Sequence, residues 1–246
     1  MAAKISALVR AGVGEMTARE PLWPAAARLR EAYDKIELAK KFAPQNQYRY
    51  AQYPGLCVTS PRVPTLAVAA NAYGRDFVKG WLMGQIEDLN RSCGASNKME
   101  ADEVEMVADT IATTYGHLRL TDIMLFLVKF KGGAYGRFYG RNDPLVITTA
   151  LADYEVYRRA EAGREMARQA KAAAERRARG EYTLDEFRRD WRWKELTDEE
   201  RAAYEAHPGE MIKVDVTPAS PEWVEAMFKR MKEQRLKQQQ KAEDKQ

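Results

Sequence analysis

Residues 121–133 read TDIMLFLVKFKGG, and this stretch is the clearest indication of the fold class. Thr121 is placed to cap a helix, the apolar run from Ile123 to Val128 forms its body, and Gly132-Gly133 is typical of its end. No apolar run approaches the roughly 20 residues that a membrane-spanning helix needs. We therefore expect a short helix buried in a globular core, and no membrane partner.

Two amphipathic patterns precede this helix. From Pro64 to Asn90, apolar residues recur at helical spacing on more than one side, which indicates packing against several neighbours. A second helix is predicted from Asn97 to Gly116. Asn97 and Glu100 form a capping-box pattern there, and the apolar residues that follow keep helical spacing.

The first 60 residues have weaker patterns. Trp23 to Phe42 predicts one helix, since its apolar residues recur every three or four positions. Residues 43–56 (APQNQYRYAQYPGL) predict an irregular connection because of their prolines and glycine. Strand patterns are scarce, and the two candidates are CVTSPRV at 57–63 and IKVDV at 212–216.

Downstream, Asp143-Pro144 supplies a cap and a first-turn proline for another helix. Its apolar face fades after Tyr157, where alanine, arginine and glutamate take over and predict a mostly solvated helix. Three further helix starts are predicted in the C-terminal third, at Thr183, Thr197 and Ser220.

These patterns predict a mainly α protein, with a compact helical domain and a long basic helix leading to a smaller helical C-terminal region. The predicted segments are an N-terminal helical and irregular segment (1–60), a core helical domain with a Gly/Tyr loop (61–157), a basic helical arm (158–180), a small C-terminal helical region (181–236) and a disordered tail (237–246).

Charge is segregated along the chain, although the net charge is only +4. From Lys129 to Arg141 there are four basic residues and no acid, and from Arg158 to Arg179 there are eight basic residues against three acids. Such segregation can create a local electrostatic footprint on a nearly neutral protein. Two cysteines are too few for a disulfide framework, so we expect free thiols and the cytoplasm of a bacterial host.

The loop KFKGGAYGRFYGRNDP at 129–144 combines cations, rings and glycines. Its glycine spacing excludes a dinucleotide fingerprint, and no Gly-Lys-Ser/Thr follows as in a P-loop. Cations that neutralise phosphates, interleaved with rings that stack on bases, suit single-stranded nucleic acid. Alternatively, the rings fill the core between two helices and the charges solvate the outside. The candidate nucleic-acid-binding residues are Lys129, Lys131, Tyr135, Arg137, Tyr139 and Arg141.

The basic arm also has two interpretations. It is either a solvated connection between domains or a helix that contacts phosphate or a protein partner. The candidate partner-binding residues are Arg158, Arg159, Arg168 and Trp223.

Catalytic motifs are missing from the sequence. A nucleophilic pair of Cys93 and His117 has no supporting pattern, and the cysteines and histidines occur singly, without the clustering that zinc requires. We expect a binding protein with no cofactor and no metal.

Several short motifs between residues 72 and 157 resemble a family of uncharacterised proteins from Bacteroidales genomes and their mobile elements. The motifs are Tyr73-Gly74, Trp81-Leu82, Asp88-Leu89-Asn90, Lys98-Met99, Phe130-Lys131, Tyr135-Gly136-x-Phe138-Tyr139-Gly140 and Asp143-Pro144. This chain has one extra residue between Lys131 and Tyr135. The resemblance implies phage or plasmid biology and no particular activity.

Together these features predict a phage or mobile-element accessory protein. Its partner would be nucleic acid, as single-stranded or forked DNA, or a replication protein, in the manner of a helicase loader or initiation factor. The alternative is a non-catalytic adaptor or a virion or assembly protein that acts through protein–protein contacts. The oligomeric state stays open.

Overall fold

A computed structural model describes residues 22–93, 97–136 and 141–214. Within these ranges the fold is mainly α, and a 35-residue helix is followed by a smaller C-terminal region, as the sequence predicts. The chain divides into two compact units with the boundary after Arg168, which lies inside the predicted arm.

The helices, in chain order, are α1 (Pro24–Ala32), α2 (Lys35–Lys41), α3 (Gln47–Ala51), α4 (Pro54–Thr59), α5 (Leu66–Tyr73), α6 (Arg75–Ser92), α7 (Ala101–Thr114), α8 (Leu120–Lys131), α9 (Pro144–Ala178), α10 (Leu184–Phe187), α11 (Trp191–Glu195) and α12 (Asp198–Glu205). A single 3₁₀ turn, Pro44–Asn46, precedes α3. Two short strands, β1 (Glu181–Tyr182) and β2 (Ile212–Lys213), pair antiparallel in the second unit.

Helix α8 lies at the centre of the first unit, as its apolar sequence predicts. Each residue from Leu120 to Leu127 is at most 3% exposed. The helix packs against α3, α4 and α6, and α6 in turn packs against α5 and α7. Because neighbours surround α8, its apolar side chains are buried on all sides.

The N-terminal helices share this core. The indole of Trp81 donates to the carbonyl of Phe42 (2.9 Å), and the hydroxyl of Tyr73 donates to the carbonyl of Leu29 (3.2 Å). Residues of α1, α2 and α8 therefore belong to one hydrophobic cluster.

The single helix predicted from Trp23 to Phe42 is wrong, since the chain forms two helices there. Tyr33 is extended (φ −148°, ψ 142°), and the Asp34 carboxylate accepts from the backbone of Ile36 and Glu37 to start α2. A local side-chain cap thus overrides the apolar spacing.

The helix predicted from Pro64 to Asn90 is likewise interrupted. Gly74 adopts φ +97° between α5 and α6, a conformation that glycine reaches without a steric penalty. The irregular connection predicted at 43–56 is wrong because this segment is largely helical. The strand candidate at 57–63 is wrong because its first residues belong to α4, whereas the candidate at 212–216 contains β2.

Helix starts agree with the sequence at Asp143, Thr183 and Thr197, whereas the cap predicted at Thr121 is wrong, since Arg119 occupies the N-cap of α8 and Thr121 lies within the helix. The Asp143 carboxylate caps α9 by accepting from the N–H of Leu145 (2.8 Å), and capping boxes at Thr183 and Thr197 are present. The cap predicted at Asn97 is wrong, since Glu100 occupies that position and the Asn97 carbonyl accepts from Asn142. The predicted helix at Ser220 and the tail lie outside the described residues.

A buried carboxylate joins α8 to α9. The side chain of Asp122 is inaccessible to solvent and accepts from the hydroxyl of Tyr154 (3.0 Å) and from Nε of Arg158 (3.0 Å). It also accepts from the backbone N–H of Arg119 (2.9 Å). Burial raises the pKa of Asp122 although all three donors act to lower it. This network satisfies the acceptors of a carboxylate that would be costly to bury alone.

The second unit has its own small core. Tyr182, Leu184, Phe187 and Ile212 are buried, and the rings of Trp193 and Tyr204 pack edge-on or tilted around Phe187. Arg176 and Glu186 form an ion pair at 2.5 Å within this unit.

Asp122→Ala is expected to destabilise the protein by about 3–5 kcal/mol, because Arg158 and Tyr154 lose a buried acceptor. Chemical denaturation followed by circular dichroism measures the change. The control is Arg159→Ala, since Arg159 is 73% exposed and its pair with Glu155 should contribute less than about 1 kcal/mol. Equal stability of the two variants would show that the Asp122 network does not support the fold.

Candidate nucleic-acid interface

The segment from Phe42 to Val63 forms an outer wall on the central helices. Gln47 of α3 is buried and donates to Oε1 of Gln85 on α6 (2.6 Å), which fixes the inner face of α3. The following residues then face outward: Tyr48 is 61% exposed, and Arg49 is exposed beside it.

The larger cavity in this wall has a volume of about 430 Å³. Basic, aromatic and small polar side chains line it. One side of the cavity is formed by α3 and another by α4. Its principal residues are Lys41, Asn46, Arg49, Tyr50, Tyr53 and Ser60.

A second cavity of about 330 Å³ adjoins the first, and Val63 lines both. Arg28, Arg62 and Arg119 line the second cavity. The ammonium of Lys41, from the first cavity, donates to the hydroxyl of Tyr33, from the second. We call the two cavities together the cationic groove; its cations are Arg28, Lys41, Arg49, Arg62 and Arg119.

No acidic residue from the described part of the chain lines either cavity. Arg28, Arg49 and Arg62 are exposed and have neither a hydrogen-bond nor an ion-pair partner among the described residues. Three guanidinium groups therefore offer all of their donors to a ligand.

Arg119 holds one side of the groove in place. Its guanidinium donates to the carbonyl of Val63 (2.8 Å) and more weakly to that of Val58 (3.4 Å). Burial lowers the pKa of Arg119, but an arginine side chain stays protonated in proteins. The residue thus adds positive charge to the groove and orders the chain between α4 and α5.

Three of the loop cations predicted to bind nucleic acid, Lys129, Lys131 and Arg141, have partners within the protein. Lys131 is 9% exposed and forms an ion pair with Asp88 and a hydrogen bond with Gln47 (2.8 Å). The ammonium of Lys129 lies 3.9 Å from the ring centroid of Tyr157. Arg141, which is more exposed, pairs with Glu103.

Tyr135 packs inward, as expected if the rings fill the core. Its ring centroid lies 5.5 Å from that of Phe126 and 6.0 Å from that of Phe130. The Tyr135 hydroxyl is buried and has no hydrogen-bond partner among the described residues, and burial raises its pKa. Arg137 and Tyr139 lie outside the described residues.

The loop nevertheless meets the outer wall through Lys131. Besides its hydrogen bond with Gln47, Nζ of Lys131 lies 5.9 Å from the ring centroid of Tyr48, an exposed residue of α3. The structure thus brings one predicted residue next to a ring that the sequence analysis did not select.

The arm residues are also paired. Arg158 bonds the buried Asp122, Arg159 pairs with Glu155 (3.4 Å), and Arg168 pairs with Glu165. Glu165 is 8% exposed, so this part of α9 turns acid inward and presents arginine outward. Trp223 lies outside the described residues.

No hydrogen bond joins a cysteine to a histidine among the described residues. Burial raises the pKa of the Cys57 thiol to about 12, and burial also raises the pKa of Cys93. His117 contacts Glu155 through Nε2 (2.6 Å). Because only a thiolate is a strong nucleophile, Cys57 is unreactive at neutral pH.

The described ranges contain no cluster of three or more His, Cys, Asp or Glu side chains placed to hold a metal ion. In the same ranges, no helix combines the length and apolar character needed to cross a bilayer.

The sequence contained one overlooked indication of the groove. Tyr48-Arg49-Tyr50, with Tyr53 after it, repeats the alternation of ring and cation that drew attention to the loop. Arg28, Arg62 and Arg119 could not be joined to it, because three separate segments contribute them.

Comparison with protein families finds a match over part of the chain. The model of a family of unknown function, DUF6633, matches residues 98–198, which is less than half of the chain. The matched range includes Arg119 and the Gly/Tyr loop, whereas the other cations of the groove precede it. No curated protein and no solved structure matches the chain.

Tyr135→Phe should leave stability unchanged or increase it, because the substitution removes a buried hydroxyl that has no partner. Tyr135→Ala should cost about 2–4 kcal/mol through loss of the ring contacts with Phe126 and Phe130. Thermal denaturation of both variants checks these expectations. A fully stable Tyr135→Ala variant would contradict the packing role and return this ring to the candidate contact surface.

Proposed function

We propose that this protein binds single-stranded nucleic acid along the cationic groove, as an accessory protein of a phage or mobile element. The observation that carries the proposal is the charge of the groove: five cations, three of them unpaired, and no acid from the described residues. Such a concentration of like charge is unfavourable without an anionic ligand, and phosphates supply the compensating charge.

Exposed rings favour single strands over duplex as the ligand. Tyr48 and Tyr53 are each 61% exposed and lie next to Arg49 or Lys41 in the wall. In a duplex the bases are already stacked inside, whereas an unpaired base can stack on a tyrosine ring. The alternation of rings and cations therefore matches a strand with accessible bases.

The Gly/Tyr loop remains part of the proposal as an extension of this surface. Arg141 pairs with Glu103 at an exposed position, and such ion pairs are weak enough to be exchanged for a phosphate contact. Lys131 lies beside Tyr48, which places the loop next to the outer wall that borders the groove. Together with Arg137 and Tyr139, these residues would lengthen the binding path.

The proposal extends to a role beside replication proteins, such as helicase loading or initiation at forked DNA, where single strands are exposed. The sequence resemblance to mobile-element proteins implies phage or plasmid biology and no particular activity, so this part of the proposal rests on single-strand binding by the groove. The arm residues Arg159 and Arg168 are exposed and would be available to such a partner.

The triple variant Arg28→Gln/Arg49→Gln/Arg62→Gln should bind a fluorescent single-stranded oligonucleotide at least about tenfold more weakly than the parent at low salt. Loss of three phosphate contacts should also reduce the slope of log affinity against log salt by about 2. Fluorescence anisotropy across a salt series measures both quantities.

The matched control changes three exposed arginines elsewhere, as Arg159→Gln/Arg179→Gln/Arg188→Gln, with the same change in net charge. It should retain the parent affinity within about twofold, because none of the three arginines lines the groove and each already has an acidic partner. Absence of binding by the parent at low salt would exclude the proposal. Equal losses in both triple variants would show that overall charge, not the groove, causes the binding.

An adaptor function has support from a separate surface. A groove of about 350 Å³ between α7 and the start of α9 is lined by Met106 (53% exposed) and Leu145 (70% exposed). Exposed apolar side chains in a concavity suit an apolar segment of a protein partner. A complex that survives high salt and is lost in Leu145→Glu would favour this function over nucleic-acid binding.

A further inference from the structure

The larger cavity of the groove has an aromatic wall that the core holds rigid. The rings of Phe42 and Tyr50 stack with centroids 5.4 Å apart and planes 23° from parallel. The carbonyl of Phe42 accepts from Trp81 (2.9 Å) and from Gln85 (2.7 Å), both on α6. The Tyr50 ring is therefore held in place by its stacking on Phe42. This lowers the entropic cost of stacking a ligand on Tyr50.

The rim of this cavity is apolar and accessible. Tyr53 is 61% exposed and Leu56 is 49% exposed, and both line the cavity. The N–H of Tyr53 donates to the carbonyl of Tyr50 (3.0 Å), so the two rings extend from one turn of backbone. A flat ligand can thus contact Tyr50 and be covered by Tyr53.

Polar groups with unused hydrogen-bonding capacity line the same cavity. The Asn46 amide nitrogen donates to the carbonyls of Lys40 (3.2 Å) and Lys41 (3.0 Å), which fixes the amide while its oxygen keeps no partner among the described residues. The Ser60 hydroxyl is likewise unpartnered in the described part of the chain. One acceptor and one donor–acceptor group can therefore bond to the edge of a heterocycle.

We propose that the larger cavity is a subsite for one unstacked nucleobase of a single-stranded nucleic acid. The base stacks on Tyr50 beneath Tyr53, and its edge bonds to Asn46 or Ser60. The strand then continues past Val63, where Arg62 and Arg28 bind its phosphates. This inference rests on the proposed function and names the part of the ligand that the cavity holds.

The chemistry of the cavity favours a base over a bare phosphate. A phosphate gains nothing from the stacked rings or from Leu56, and it would sit more favourably among the arginines of the smaller cavity. The volume of about 430 Å³ lies within the range of small-ligand sites. Lys41 and Arg49 at its margin would hold the phosphates that flank the base.

Two probes of equal phosphate content test the subsite. One is a fluorescent nine-nucleotide oligothymidylate, and the other is the same length of abasic sugar–phosphate chain. The full protein should bind the first at least about fivefold more tightly, because a stacked base adds that much affinity or more. Anisotropy at constant salt measures the ratio.

Variants of Tyr53 locate the base at this cavity. Tyr53→Ala should reduce the preference for the intact strand by about threefold or more and leave affinity for the abasic chain unchanged, because the base keeps its contact with Tyr50 and loses the ring that covers it. The matched control, Tyr53→Phe, keeps the ring and should keep the preference. Tyr53 is exposed and outside the core cluster, so both variants should fold like the parent.

Equal affinity for the two probes would overturn the base subsite and leave phosphate binding by the groove intact. An unchanged preference in Tyr53→Ala would also overturn it, because the base would then bind elsewhere. Failure to bind either probe would overturn the subsite and the proposed function together.

Discussion

The buried carboxylate of Asp122 is the constraint on which the first unit depends. It accepts from the Arg119 backbone, from Tyr154 and from Arg158, and so joins the start of α8 to α9. The same turn reaches the outer wall, because Thr121 donates to the Cys57 carbonyl (2.7 Å) and Arg119 to that of Val63 (2.8 Å). One turn of α8 therefore orders both the core and the segment that borders the cationic groove.

This coupling explains how unpaired cations are tolerated in the groove. Buried residues anchor the segments beside these cations: Leu29 next to Arg28, Gln47 two residues before Arg49, and Pro64 two residues after Arg62. Arg28 and Arg62 therefore line one cavity and Arg49 lines the other, with Val63 common to both. Among the other exposed arginines of the described chain, Arg159 and Arg188 have acidic partners, whereas Arg75 and Arg91 have neither a hydrogen-bond nor an ion-pair partner there. The binding role proposed for the groove therefore rests on the five cations that line its two cavities without an acidic residue from the described part of the chain.

Apolar periodicity was sufficient to predict α8, α7 and the start of α9, because burial of their apolar faces dominates local preferences. Spacing alone could not show the two helix breaks. At Tyr33 the capping carboxylate of Asp34 starts a new helix, and at Gly74 a positive φ interrupts the helix. The composition of the loop was compatible with rings that contact a ligand and with rings that fill the core. For Tyr135, only its packing on Phe126 shows that the ring fills the core. The groove could not be predicted, because its cations converge only after α1, α3 and the turn before α8 have packed.

The central claim is that nucleic acid lies along the cationic groove. Hydrogen-exchange mass spectrometry with and without a saturating single-stranded oligonucleotide tests it without altering the protein. Protection is expected in peptides that cover residues 24–33 and 44–63, since these segments carry most of the groove. Protection confined to residues 129–144 or to the arm, with no change at 44–63, would contradict it.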